Sequence, residues 1–280
     1  MPVGSDIVKG NQSVTILLNG LPGSGKTRQA MTFEKVYAMA FDPSGLDVLK
    51  QKGLANLAAN LSWYEYVNPM NDEELRDVYR MQPKDGKRGL IYEMLEQAKA
   101  MAAKGGVKTL LLDGVTYFAD LRWRLINLDE VEKSSKTGNV DTQAMYRGLG
   151  IWLQTFFARD LLPLATRSGL NVVCTCHLKR ESEEAVSGND KKAGKINQLS
   201  DVAPMIEGGF RNKVEGLFGA SIYLERKLSG SEPQYLAHTS IKQAFNSVVE
   251  GKNRYGLPQT IDLTNKNLAD VVKTHLVTTT

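Results

Sequence analysis

Val14-Thr15-Ile16-Leu17-Leu18-Asn19 followed by Gly20-Leu21-Pro22-Gly23-Ser24-Gly25-Lys26-Thr27 is the stretch that decides how this chain is read. The second part fits G-x-x-x-x-G-K-[ST], a pattern that binds phosphate when it joins a strand to a helix. The first part is an apolar run of strand character. After the pattern comes Arg28-Gln29-Ala30-Met31-Thr32-Phe33-Glu34, made of good helix formers without Gly or Pro. The motif therefore has its required context, and a chance glycine-rich turn is the weaker explanation.

Each residue type has a task. The glycines let the backbone curl so that its N–H groups face phosphate oxygens. The helix that follows offers its positive N-terminus to the same anion. Lys26 supplies a point charge for the β- and γ-phosphates, and the Thr27 hydroxyl is a hard ligand for Mg²⁺. The expected nucleotide contacts are Gly20, Leu21, Pro22, Gly23, Ser24, Gly25, Lys26, Thr27 and Arg28.

The 280 residues, 42% hydrophobic and 24% charged, suit one large globular domain. A net charge of +4 permits a polyanionic partner without requiring one. Met1 to Asn11 has no apolar signal-peptide core, and no run of about 18 apolar residues exists to cross a membrane. With two cysteines in one strand-like run, Cys174 and Cys176, a disulfide framework is excluded and the expected location is the cytoplasm. Both cysteines fall on one face of that strand, as core residues; a metal site lacks a second Cys/His pair.

Strands and helices alternate along the chain, which argues for an α/β fold with a largely parallel sheet. Val36 to Phe41 is a strand that ends at Asp42 before the turn cluster Pro43-Ser44-Gly45. Asp47 to Leu54 reads as a weak helix, Trp63 to Val67 as a strand, and 72–81 and 89–104 as helices. Val107 to Leu112 then delivers Asp113 to the carboxyl end of a buried strand. Asp113 either holds Mg²⁺ opposite Thr27 or caps the turn at Gly114; the phosphate loop upstream favours the metal.

Val115 to Leu128 reads as a helix, 129–141 as a polar loop, and 146–166 as a helix with Pro163 near its end. Leu170 to Cys176 is a third buried strand, ending in His177. That histidine either senses a γ-phosphate beside Asp113 or is a satisfied strand-end side chain. Leu178 to Gly216 has little regular pattern, and its basic and acidic residues nearly cancel. Ala220 to Glu225 and Gln234 to His238 form an antiparallel hairpin at the sheet edge. Lys252-Asn253-Arg254-Tyr255-Gly256 then places two cations one residue apart, and Asn267 to His275 is a terminal helix.

This order of motifs resembles the RecA-like ATPase core. It is similar to phage-encoded nucleotide-binding AAA-domain ATPases, among them the Sak-type single-strand annealing proteins related to RecA, from about Val14 to about Pro258. Lys252-Asn253-Arg254-Tyr255-Gly256 is similar to the Lys-Asn-Arg-Phe-Gly stretch of the RadA recombination ATPase and to the paired lysines of RecA. The resemblance implies a single RecA-like domain over 1–280, with a core of about 13–258 and a C-terminal extension over 259–280. The fold implied is a mostly parallel twisted sheet flanked by helices, with an antiparallel edge hairpin. ATP and Mg²⁺ are the implied cofactors. Lys252 and Arg254 would reach a neighbouring subunit's γ-phosphate in a homo-oligomer, ring or filament.

The implied partner is single-stranded DNA, met by Arg147, Lys191, Lys192, Lys195, Phe210 and Arg211. The implied catalytic set is Lys26, Asp42, Asp113, His177, Lys252 and Arg254. Two positions depart from RecA. Asp42 is the nearest carboxylate where RecA carries a catalytic glutamate, and His177 stands in place of an amide. The expected activity is a DNA-stimulated ATPase that promotes annealing or strand exchange, in the host cytoplasm if phage-encoded. A ring-type replication helicase or helicase loader shares the same core. A small-molecule kinase ranks below them, because Leu178 to Gly216 holds only Arg180 and Arg211 for an arginine-rich lid. Nucleotide-gated scaffolding without turnover is a fourth possibility.

Overall fold

β1 (Thr15–Gly20) is fully enclosed from its second residue onward, and the sheet grows outward from it on both sides. The computed structural model describes residues 13–51, 54–84, 86–137, 139–184, 197–229, 232–239, 242–244, 247–249 and 252–278. The other strands that bear on the site are β2 (Val36–Ala40), β3 (Leu61–Tyr66), β4 (Thr109–Asp113), β5 (Asn171–Glu184), β6 (Asn197–Pro204), β7 (Ala220–Ser229) and β8 (Glu232–His238). Two short pairs follow. β9 (Lys242–Ala244) and β10 (Ser247–Val249) pair with each other, whereas β11 (Lys252–Asn253) and β12 (Thr260–Asp262) join the main sheet.

The order across that sheet is β12-β8-β7-β1-β5-β4-β2-β3. All strands from β7 to β3 run parallel. β8, β11 and β12 are antiparallel additions beyond them. β5 lies between the strand that enters the phosphate loop and the strand that ends in Asp113. The parallel core and its antiparallel additions match the α/β sheet expected from the alternation of strands and helices.

Strand alternation divides the core in two. Leu17, Leu110, Leu112, Cys174 and Cys176 face one side. There they meet α4 (Leu90–Ala103), α5 (Val115–Thr137) and α6 (Thr142–Thr155), with Phe118, Trp152 and Phe156 at the centre. Ile16, Leu18, Leu111 and Val173 face the other side, against α1 (Lys26–Ala30), α2 (Ala55–Ala58) and α9 (Leu268–Thr278). Both cysteines are buried and free, and burial pushes the Cys176 thiol up to about 12. The parity that sends them into the first core sends Asp113, Thr175 and His177 to the side of α1.

Several elements differ from the sequence reading. α1 stops at Ala30, where a turn replaces the expected longer helix. The polar stretch 129–141 is helical as far as Thr137, because no Gly or Pro interrupts it before Gly138. Ion pairs from Arg76 to Asp129 and Glu132 hold that extension to α3 (Asp72–Val78), and Arg124 with Asp72 ties the preceding turns of the same helix to it. Between α6 and α7 (Leu162–Arg167), residues Phe156–Leu161 form a π-helical turn that buries Phe156 and Phe157. Leu178 to Gly216 is not patternless. β5 continues past the sheet and pairs with β6 as a two-stranded arm, and α8 (Arg211–Leu217) follows. The β7–β8 hairpin forms the expected antiparallel edge, and β12 extends it by pairing with Leu236 to His238 of β8. Residues 260–278 join the same sheet and core, for Leu263, Leu268 and Val272 are buried with α1.

Candidate active site

The phosphate loop is shaped by positive φ angles at Gly23 (75°) and Gly25 (91°), conformations that side chains with a Cβ rarely adopt. Lys26 is buried and folds back on the loop, donating to the carbonyls of Gly20 (2.9 Å) and Leu21 (3.1 Å). Burial pulls its pKa down, and Asp113 and Asp42 oppose that pull. The Ser24 hydroxyl is buried with no hydrogen-bond partner among the described residues. An orphaned hydroxyl and a buried ammonium turned back onto the carbonyls of its own loop fit a loop built around an anion.

β4 and β5 set Asp113 beside Thr175 in register. Thr175 Oγ1 donates to Asp113 Oδ1 at 2.6 Å, and Thr27 Oγ1 donates to both carboxylate oxygens at 3.1 and 3.3 Å. Burial pushes the Asp113 carboxyl up to about 6, although both hydroxyls hold it down. A buried carboxylate and a hydroxyl converging in this way are the hard oxygen donors that Mg²⁺ takes. The residues therefore fit the metal that the motif implies. Gly45 closes over them, since a Cβ there would lie 2.2 Å from Asp113 Oδ2.

His177 sits between two charges. Its Nδ1 lies 3.4 Å from Lys26 Nζ and its Nε2 lies 3.5 Å from Asp42 Oδ2. The ammonium can only donate, so Nδ1 is the acceptor and Nε2 carries the proton that faces Asp42. Burial and then Lys26 lower the His177 pKa, against Asp42, so the ring is neutral at pH 7. Thr116 Oγ1 accepts the His177 backbone N–H at 3.1 Å, and Tyr117 packs edge-on against the ring at 5.6 Å. Asp42 also accepts from the Ser44 N–H and hydroxyl, which fixes its carboxylate at the strand end.

Lys252 and Arg254 lie elsewhere. β11 pairs with the start of β7 at Ala220 and Ser221, whereas Gly20 pairs with Leu224. Tyr255 Oη accepts the N–H of Thr15, at the far end of β1. The length of β1, about 16 Å at ~3.3 Å per residue, separates that end from the phosphate loop. Lys252 Nζ donates to the Gly216 carbonyl, and Arg254 is exposed.

The expected DNA contacts scatter. Arg147 is exposed on α6, and Arg211 is half-buried at the start of α8. Phe210 is a core residue instead, 1% exposed and stacked on Phe157 at 5.7 Å, so its ring is closed to a base. Lys191, Lys192 and Lys195 lie outside the described residues. A cavity of about 880 Å³ between α3 and α5 holds none of the phosphate-site residues.

A family model described as "AAA domain" matches residues 12–255. The chain belongs to the AAA domain family. This AAA domain is a P-loop ATPase, and the hydroxyl of Thr27 joins its phosphate loop to Asp113. Among solved structures it is similar to a KaiC-like protein from the hyperthermophilic archaeon Pyrococcus horikoshii. That match is 12% identical, covers 85% of this chain and 89% of that one, and has a TM-score of 0.40. No curated protein matches the sequence. Among the described residues no helix is long and apolar enough to cross a membrane.

Two contacts of this AAA domain are absent from the sequence reading. Thr175 shares its strand face with His177, so alternation alone points to it. Thr116, the second residue of α5, is visible only once α5 is packed on β5.

Proposed function

We propose that this AAA-domain ATPase is a DNA-recombination protein. It binds ATP and Mg²⁺ at the boundary between two copies, assembles on single-stranded DNA, and promotes annealing or strand exchange. The observation that carries the reading is the placement of Lys252 and Arg254 at the end of the sheet remote from their own phosphate loop. Only a second copy can bring such cations to the γ-phosphate.

In this reading Lys26 leaves the Gly20 and Leu21 carbonyls to hold the β- and γ-phosphates. Thr27 and Asp113 would hold Mg²⁺, which would supply charge neutralisation at the phosphates. Asp42 accepts a proton from the attacking water, and neutral His177 keeps that carboxylate oriented through Nε2–H. The partner copy's Lys252 and Arg254 neutralise charge that develops at the transition state. The β5–β6 arm starts directly after His177 and gives DNA a route to influence the site.

ATPase rates with and without single-stranded DNA, together with mobility shifts at low and high salt, test this function. Stimulation by DNA and a salt-sensitive shift are expected. Absence of DNA binding in both the ATP and the ADP state refutes it.

A further inference from the structure

The sheet order places β5 and β4, with His177 and Asp113, on one side of β1 and places β7 and β8 on the other. The second flank of the phosphate loop is therefore built by the β7–β8 hairpin. Leu224 is the register partner of Gly20, and β7 runs on past it to Arg226. Arg226 shares the strand face of Leu224, which is buried with α1. Directly opposite Arg226 on β8 stands Tyr235. Both side chains therefore rise on the face that carries the loop.

The loop glycines register these neighbours. A Cβ on Gly23 would lie 3.9 Å from Arg226 Nη1, and one on Gly25 would lie 3.6 Å from the Tyr235 ring. The Arg28 guanidinium sits over the same ring, 5.7 Å from its centre. Glu225 does not neutralise this cluster. It is buried on the opposite face and committed to His238 (2.9 Å) and Lys227 (3.2 Å). Among the described residues no carboxylate lies within ion-pair distance of Arg226 or Arg28. Two unpaired guanidinium groups thus flank one tyrosine beside a loop shaped for an anion, an arrangement that a polyphosphate relieves and a neutral ligand does not.

We propose that Arg226 is a phosphate contact supplied by the same chain that supplies the loop. The inference rests on reading the loop as a nucleotide site. It adds that a single copy holds nucleotide from both flanks, so that the partner's cations serve turnover rather than capture. Guanidinium geometry matters here, because a lysine gives a point charge where an arginine gives a fork.

Equilibrium titration of ATP and ADP against wild type, Arg226→Ala, Arg226→Gln and Arg226→Lys, at several salt concentrations, tests it. Arg226→Ala and Arg226→Gln are expected to weaken both nucleotides roughly ten- to a hundredfold, the effect of one charge-assisted contact. They should also flatten the salt dependence, and Arg226→Lys should recover part of the loss. Arg226→Gln keeps much of the side chain's length and polarity, so it decides the matter if Arg226→Ala folds poorly. Wild-type affinity and salt dependence in a folded Arg226→Gln protein overturn the inference while leaving the loop reading intact. Failure of the wild type itself to bind either nucleotide overturns both.

Discussion

The hydroxyl of Thr175 donates to Asp113 at 2.6 Å while accepting the N–H of Gly114 at 2.8 Å. One side chain thus holds the carboxylate and the backbone turn behind it, and both are buried. Thr175→Val keeps the shape and removes both bonds. It should cost about 1–3 kcal/mol, the penalty for leaving buried polar groups unpaired. It should also weaken Mg²⁺ binding, because Asp113 loses a donor that favours its charged form. Denaturant unfolding and a Mg²⁺ titration of nucleotide binding measure the two effects, and Thr175→Ser should restore much of each.

Asp113 makes the metal-free protein pH-dependent. Its carboxyl sits at about 6 in the fold against 3.8 as a free group. The folded state therefore holds the proton more tightly than the unfolded one. Stability falls as pH rises through this window; the penalty is absent below about 3.8 and complete above about 6. The full penalty is about 3 kcal/mol. In EDTA, Asp113→Asn should be more stable than wild type at pH 8, and that advantage should vanish towards pH 4. Thermal unfolding of both proteins across this range checks the sign. Mg²⁺ with nucleotide should raise the wild-type melting temperature and leave the variant nearly unmoved.

Lys252 and Arg254 predict complementation. Lys26→Ala alone and Arg254→Ala alone should each hydrolyse ATP poorly. Mixed together, they form boundaries that join an intact phosphate loop from one copy to an intact Arg254 from the other. The mixture should regain part of the DNA-stimulated rate, measured as phosphate release. A mixture no faster than the average of its components contradicts the role in trans.

The sequence carried much of this site because its signals are local. Gly20 to Thr27 is a contiguous motif, and Asp42, Asp113 and His177 each close an apolar run, so each falls at a strand end. Cys174 and Cys176 were legible as core residues from alternation alone. Long-range facts were not legible. Phe210 sits among polar and basic neighbours and reads as a loop aromatic, yet the π turn of Phe156 and Phe157 draws it into the core. The polar run after Leu128 reads as loop by composition, but Arg76, distant in sequence, anchors it as helix. Arg226 carries no motif, and only the registers of β7 with β1 and β8 bring it to Gly23.

Nucleotide binding by Lys26→Ala is the most direct test of the account. Calorimetric titration of ATP with Mg²⁺ should give a saturable isotherm for wild type and a loss of roughly a hundredfold or more for the variant, since a buried ammonium facing phosphate is removed. Equal affinity in the two folded proteins would contradict the claim that this loop and its lysine grip a triphosphate.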